Sequence, residues 1–558
     1  MKRLDTIENT IKTFSAAERV VFFAAALLFA TSVFWLLVKI NDMFLVTIPS
    51  RGGSFSEAIV GTPRFINPLL AISDSDHDLS ALVYSGLMRE MPDGSIIPDL
   101  AQSYSVSTDT LTYTFTIKNG ATFQDGEPVT ADDVAFTVLK AEDPSLKSPQ
   151  FADWNGVSVK VINEKEISFT LKQPYAFFID DTTLGILPKQ IWQNVSDDNF
   201  PFSDENTKPI GSGPYEVSSV SRDSSGVPTQ YQMSAFENFA LGTPYISDIS
   251  FKIFPSDSDA LDALKSGAVS ALANIDPSTM PVNVKGSQML ETPFTRVFGL
   301  FFNQNQNALF ADKSIRMALD ESAPKQEIVQ SVLGGFGVAL SGPLPSSVDT
   351  SSSSLTLASS TLSKDGWKNI SGVLEKISKK TSTPLSFSIS TGDIPDLSAT
   401  ANLLKDAWQT LGAQVDVKVF NQSDLSQSVV ETRNYDALLL GMVVGNHPDL
   451  YAFWASSQRN YPGLNVAQYV NAKADKVLAD MRQTSDASKQ AKDEQLFLSY
   501  VASDTPAVFL YSPDFIYAVP SDIKNITLGP ITVSADRFEN IWQWYIDTEK
   551  VWSIFAQK

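Results

Sequence analysis

Residues 20–38 read VVFFAAALLFATSVFWLLV, an uncharged apolar stretch of 19 residues. That is the length at which an α-helix crosses the hydrocarbon core of a bilayer, and no amphipathic face that would suit a water-facing core helix can be drawn on it. The chain has no second stretch of this kind, so a single-pass helix is predicted. Lys2, Arg3, Lys12 and Arg19 precede it and outnumber Asp5, Glu8 and Glu18, which favours a cytoplasmic N-terminus and places everything beyond residue 38 outside. A cleaved signal peptide is the competing reading. Against it stand a stretch longer than a usual signal core and the lack of an A-x-A-like site before the folded part. The expectation is a retained anchor in the cell membrane with an extracellular or periplasmic ectodomain.

At 558 residues the chain exceeds what one hydrophobic core organises, so two to four domains are expected. Its 63 acidic residues against 42 basic ones leave a formal charge of −21, a field that repels a phosphate backbone and argues against nucleic acid as a partner. The absence of cysteine excludes disulfides, thiolate metal sites, cysteine nucleophiles and a lipid-anchored cysteine.

Catalysis finds little to work with. The only histidines are His77 and His447; both stand in polar contexts and read as solvated loop residues, and no G-x-S-x-G elbow is present. Asp74, Asp76 and Asp78 alternate in DSDHD like half of a calcium loop, without the glycine and bidentate glutamate such a loop requires. The glycine clusters GSGP at 211–214 and GGFG at 334–337 lack the lysine and hydroxyl pair of a phosphate loop and read as turns. Neither an enzyme, a metal nor a cofactor is expected.

Beyond a short spacer (39–53), strand-like and helix-like runs alternate, which predicts mixed α/β architecture. TYTFTIK at 112–118 and EISFTL at 166–171 alternate as half-buried strands do. Thr130 reads as the N-cap of a helix whose Asp132 and Asp133 favour its dipole. Helices are predicted over 256–266, 312–322, 328–333 and, as one long element, 475–503. Residues 385–389, 397–410 and 414–420 form a βαβ unit. The serine-rich tract 346–363 reads as an exposed connection, and 507–511 and 515–519 as two late strands.

The order of the motifs adds what no single motif gives. GTPRFINP at 61–68, LVYSGLM at 82–88 and IPDLA at 97–101 are followed by YTFTIKNGATFQDGEPVTADDV at 113–134, with its strand, Asp125-Gly126 turn, stiffening Pro128 and capped helix. GSGPY at 211–215, Asn303 with IRMAL at 315–319, and Tyr435-Asp436-Ala437 come later. In this series the ectodomain resembles the family 5 extracellular solute-binding proteins of peptide and nickel importers.

The resemblance implies an α/β, two-lobed fold of the type II periplasmic-binding-protein (Venus flytrap) kind with an extra N-terminal subdomain, preceded here by one transmembrane helix. Its expected layout is a cytoplasmic segment 1–19, the anchor 20–38, the spacer 39–53, lobe I over 54–275 with an insert at about 80–200, lobe II over 276–500, and a return to lobe I over 501–558. It also implies a monomeric partner of ABC permease subunits, closing on a peptide or other small solute. By position, the ligand backbone is expected against Ile72, Ser73 and Asp74 on one side and Gly441, Met442 and Val443 on the other, held as an added strand. Peptide binders often carry a tryptophan and then an aspartate after that glycine; here Met442 and VVGNH stand instead, leaving Asp449 or Asp74 as candidates to meet a ligand amine. An oligosaccharide, a metal chelate, or an anchored sensor or adhesion role without a transporter are the alternatives. A sugar site would show Trp154, Trp408 and Trp454 facing the cleft.

Overall fold

Nothing in the apolar run breaks a helix, and Ser15 starts it: its hydroxyl accepts from the Glu18 amide at 3.4 Å while the Glu18 carboxylate accepts from the Ser15 amide at 2.8 Å. In the computed structural model, which describes residues 13–279, 284–378 and 381–556, helix α1 covers Ala16–Phe44 and buries none of its side chains. It is long and apolar enough to cross a membrane. The helix runs past residue 38, and within the predicted spacer strand β1 (Leu45–Pro49) pairs antiparallel with Thr548–Trp552 from the far end of the chain. Trp552 fixes this joint: its ring stacks on Phe44 with centroids 6.0 Å apart, and its indole N–H donates to Asn41 Oδ1 at 2.9 Å. Residues up to 53 and from 545 onward form one compact unit, residues 54–544 the other.

The second unit opens with β2 (Ser54–Val60) and helix α2 (Asp74–Val83). A four-stranded antiparallel sheet follows, built from β3 (Ala101–Val106), β4 (Thr112–Ile117), β5 (Ser158–Asn163) and β6 (Glu166–Thr170) in the order β3-β4-β6-β5. The alternation in β4 turns Tyr113, Phe115 and Ile117 inward. Phe169 and Phe178 meet Trp154 edge-on at 5.4 and 5.6 Å. Between β4 and β5, the Asp133 carboxylate accepts from both the amide and the hydroxyl of Thr130, at 2.9 and 2.6 Å, where the helix over Ala131–Ala141 begins.

Most of the remaining strands join β2 in one 12-stranded mixed sheet, while Met88–Glu90 pairs Ile96–Pro98 and the strands Trp367–Ile370, Val373–Ser378 and Thr381–Pro384 form a sheet of their own. In chain order its path uses β7 (Tyr215–Arg222), β8 (Pro228–Ala235), β9 (Asp248–Phe254), β10 (Ala271–Leu272), β11 (Ser287–Pro293), β12 (Arg296–Phe302), β13 (Ser386–Gly392), β14 (Gln414–Phe420), β15 (Ala437–Val443) and β16 (Ala507–Pro520). The spatial order is β14-β13-β15-β12-β16-β10-β2-β9-β8-β7, with β11 and the short strand Gly337–Ala339 pairing β16 off this path. The predicted βαβ unit is present, β13 and β14 lying parallel across the helix over Pro395–Leu411.

Three elements differ from the sequence reading. The two late strands are one, β16, which pairs β12 through 507–511 and β11 through 514–520. The long helix is two, Ala472–Gln483 and Ala487–Asp504, because Asp486 turns back to accept the amides of Ser488 and Lys489 and starts a new helix. Within the serine tract, Leu355–Lys364 is helical, capped by Ser354 and burying Ala358 and Leu362. Trp154, Trp408 and Trp454 are 1%, 0% and 1% exposed, core residues that face no cleft, so the predicted mark of a sugar site is not there.

Candidate functional site

Helix α2 is the wall on which the site is built. Ser73 caps it, and Asp76 at its third position accepts the amides of Arg64 and Phe65 at 2.7 and 2.8 Å. Asp78 pairs with Arg537 at 2.6 Å. Asp76 and Asp78 are thus committed to separate partners, and among the described residues the acids of DSDHD do not converge as metal ligands. His77 is helical, not in a loop, and with Ser80, Ala81 and Tyr84 it lines a cavity of about 440 Å³. The other walls are Gln150, Asp153, Asp180, Asp181 and Thr183 beside the four-stranded sheet, and Val533, Ala535 and Asp536 near the end of the unit. A smaller cavity of about 180 Å³ shares Ala81, Tyr84, Glu90, Thr183, Ala535 and Asp536 with it and adds Arg89 and Glu539. The volume lies in the range of small-ligand sites.

Two motifs of the sequence hold this wall in place. A Cβ on Gly211 would stand 2.1 Å from the Val83 carbonyl oxygen, and one on Gly213 2.5 Å from that of Leu82. Only glycine allows the approach, which lets the Gly213 amide donate to Val83 O at 2.7 Å. Gln124, beside the Asp125-Gly126 turn, accepts from the Gly211 amide at 2.9 Å through Oε1 and donates its own amide to Gly211 O at 2.8 Å. GSGP is therefore more than a turn: it clamps the C-terminal end of α2 and with it Tyr84.

The cavity is acidic and poorly compensated. Burial pushes the Asp536 carboxyl up to about 7 and the Glu539 carboxyl up to about 9, with neighbouring acids adding to both. Burial also raises Asp153, Glu90 and Asp181, the last well above the carboxylate range with Asp153 and Asp180 beside it. Across from them, His447 Nδ1 lies 3.1 Å from Asp180 Oδ1, and the Asn446 side-chain amide donates to Glu90 Oε1 at 2.9 Å. The bond to Asp180 raises the His447 pKa. His447 is in a loop as predicted, but engaged rather than solvated.

The predicted contact residues fall as follows. Ile72 is 71% exposed, Ser73 caps α2, and Asp74 borders a separate cavity of about 350 Å³ on another face of that helix. Gly441, Met442 and Val443 form the end of β15, with Met442 buried and the other two exposed. Arg296 on β12 sits in register with Val443, and its charge is supported by Asp74 and Asp536 against the burial that lowers its pKa, so the two segments approach the same region. Asp449 caps the short helix Leu450–Trp454 and pairs with Arg482 at 2.9 Å, so its charge is already met. The sequence reading missed Glu90, Asp153, Asp180, Asp181, Asp536 and Glu539. They come from separate segments, and only the paired acids of FFIDD at 177–181, set in an apolar context, stood out locally.

A model of the bacterial extracellular solute-binding proteins, family 5 Middle, matches residues 95–463. The oligopeptide-binding protein AppA of Bacillus subtilis is 27% identical over 516 residues, 89% of this chain and 92% of the relative. Its structure with a nonapeptide superposes with a TM-score of 0.69 at 26% identity, covering 90% of this chain and all of that one (100%). NikZ of Campylobacter jejuni, solved with Ni(L-His), superposes at 0.70 with 25% identity, covering 88% of this chain and 99% of that one.

Proposed function

Because the chain belongs to the family 5 bacterial extracellular solute-binding proteins, we propose that it is the membrane-anchored receptor of an ABC importer and holds a peptide in the cavity walled by α2. The family binds solutes for transport, and the chain is not an enzyme. The observation that carries the peptide reading is the cavity itself, about 440 Å³ in volume, with Asn446 and His447 reaching its Glu90 and Asp180 from beyond β15. The likeness to AppA, which binds oligopeptides, supports it.

The ligand main chain runs along β15. There β13 pairs only with Ala437 and Leu438, so among the described strands the edge at Gly441, Met442 and Val443 has no second neighbour and can receive an added strand. Ile72, Ser73 and Asp74 at the start of α2 contact it from the opposite side. The two lobes, 54–275 and 276–500, hinge on strands such as β16, which pairs with both halves of the large sheet. Permease subunits of the importer dock on the closed, monomeric receptor. A nickel–histidine chelate, the ligand of NikZ, is the second reading, and His77 on the cavity wall is the feature that favours it.

Retention of the anchor is supported by the joint at its end. Asn41 and Phe44 of α1 and all of β1 are bonded or stacked to Thr548–Trp552, so the segment after the apolar run is part of a folded unit rather than a disposable leader.

Native mass spectrometry of the full chain in nanodiscs tests the reading. A displaceable ladder of peptide masses is expected, whereas a preparation from which no peptide can be captured or competed would refute it.

A further inference from the structure

We infer that residues 552–555 form a second membrane contact: Trp552, Ile554 and Phe555 sit in the headgroup layer of the leaflet from which α1 emerges. This deepens the proposed function and rests on α1 being a retained anchor.

Topology brings the segment there. β1 carries the chain away from the end of α1, and the strand over Thr548–Trp552 runs antiparallel to it, with Trp552 opposite Leu45, the first residue of β1. The returning strand therefore ends at the end of the helix. There the Ser553 amide donates to Phe44 O at 2.8 Å, and the Phe555 amide donates to Trp552 O at 2.8 Å, which closes a turn at that level.

The helix sets the depth. Its uncharged run 20–38 has 19 residues and is about 28 Å long, close to the roughly 30 Å of a hydrocarbon core. Asn41, which accepts the Trp552 indole N–H, stands about 5 Å beyond the end of that run, and Phe44, on which the Trp552 ring stacks, about 9 Å beyond it. The headgroup layer is about 5–8 Å thick on each side, so the Trp552 ring, held between these two residues, falls at its level.

The side chains suit that layer. Trp552, Ile554 and Phe555 are 46%, 76% and 71% exposed, and the neighbouring Met43 and Phe44 of α1 82% and 50%. The indole has its one N–H satisfied by Asn41 and leaves an apolar ring free, the combination that favours tryptophan at a bilayer surface. The cluster is also continuous with the lipid-facing surface of α1, none of whose side chains is buried by protein. The bilayer that covers the helix thus covers the cluster as well.

The test uses the full chain at one copy per nanodisc. Because the sequence has no cysteine, Ser553→Cys gives a single labelling position at an exposed side chain, here for a nitrobenzoxadiazole dye. Nitroxides on the lipid headgroup or near the top of the acyl chain are expected to quench the dye at least about threefold more than a nitroxide near the chain end, and iodide in the buffer to reach it poorly. Adding Ile554→Ser and Phe555→Ser, both at exposed positions, is expected to cut the lipid quenching at least about twofold without releasing the protein from the membrane. A membrane-retained protein whose dye is quenched by iodide as fully as the free dye–cysteine adduct refutes the contact and leaves the anchor standing. Shielding that arises only with two copies per disc assigns the cluster to a second copy and likewise refutes the contact. Protein released by carbonate with its N-terminus removed overturns both.

Discussion

Arg537 and Glu57 stand 480 positions apart in the chain, yet the Arg537 Nη2 donates to Glu57 Oε1 at 2.7 Å with both side chains fully buried. The same guanidinium donates to both oxygens of Asp78 at 2.6 and 2.8 Å, and the Tyr517 hydroxyl donates to the second oxygen of Glu57 at 2.9 Å. One cation thus ties β2, α2, β16 and the segment carrying Asp536. Of these, α2 and the segment carrying Asp536 wall the cavity, so the pin that stabilises the unit also sets the geometry of its site.

Removing one member of such a cluster leaves buried charge behind. Arg537→Ala is expected to destabilise the second unit by about 3–5 kcal/mol, read as a lowered urea midpoint. Arg537→Met combined with Glu57→Gln and Asp78→Asn is expected to recover part of that loss, because no ionised group is then stranded.

Stability should fall with rising pH in a way that Asp536 and Glu539 explain. Their carboxyls titrate near about 7 and about 9 in the fold but near about 4 when unfolded. Glu90 and Asp78 act on Asp536 against the amides of Val533 and Thr532; Asp536, Glu90 and Asp93 act on Glu539 against Arg89. Between those values the folded state holds more protons, so its stability is greatest on the acid side and declines as pH rises through the folded pKa values. The melting temperature of the unliganded protein is expected to drop by a few degrees from pH 5.5 to pH 9, and Asp536→Asn with Glu539→Gln should flatten that slope.

His447 bridges to Asp180 with its pKa raised, so the pair is present at acid and neutral pH and is lost as pH climbs through the raised value. His447→Ala should speed ligand dissociation by about two- to fivefold near pH 6, as followed by stopped-flow fluorescence, and have little effect at pH 9. An unchanged rate at pH 6 would show that this contact does not hold the closed form.

The joint between α1 and the chain end makes a further prediction. Trp552→Ala removes both the stack on Phe44 and the bond to Asn41 and is expected to open 45–53 to protease about tenfold faster in limited digestion. The protein should still resist carbonate extraction from membranes, and sequencing its N-terminus should find residues ahead of Val20 intact.

What the sequence determined by itself were features that act locally. The apolar run is a helix, β4 alternates, Thr130 begins its helix, and the βαβ unit over 386–420 follows from periodicity alone. The ordered motifs carried the family because each is a local device, such as the glycines at 211 and 213 that admit the end of α2. Tertiary structure decided the rest. Only the fold could turn 507–511 and 515–519 into one strand, since both halves find partners in segments some hundreds of residues away. Only the fold could gather Glu90, Asp153, Asp181 and Asp536 around one cavity, because an acid's neighbours in space, not along the chain, fix its burial and its charge. The calcium-like DSDHD shows the same rule in reverse: its spacing suggested one ligand set, and packing gave Asp76 to backbone amides and Asp78 to Arg537.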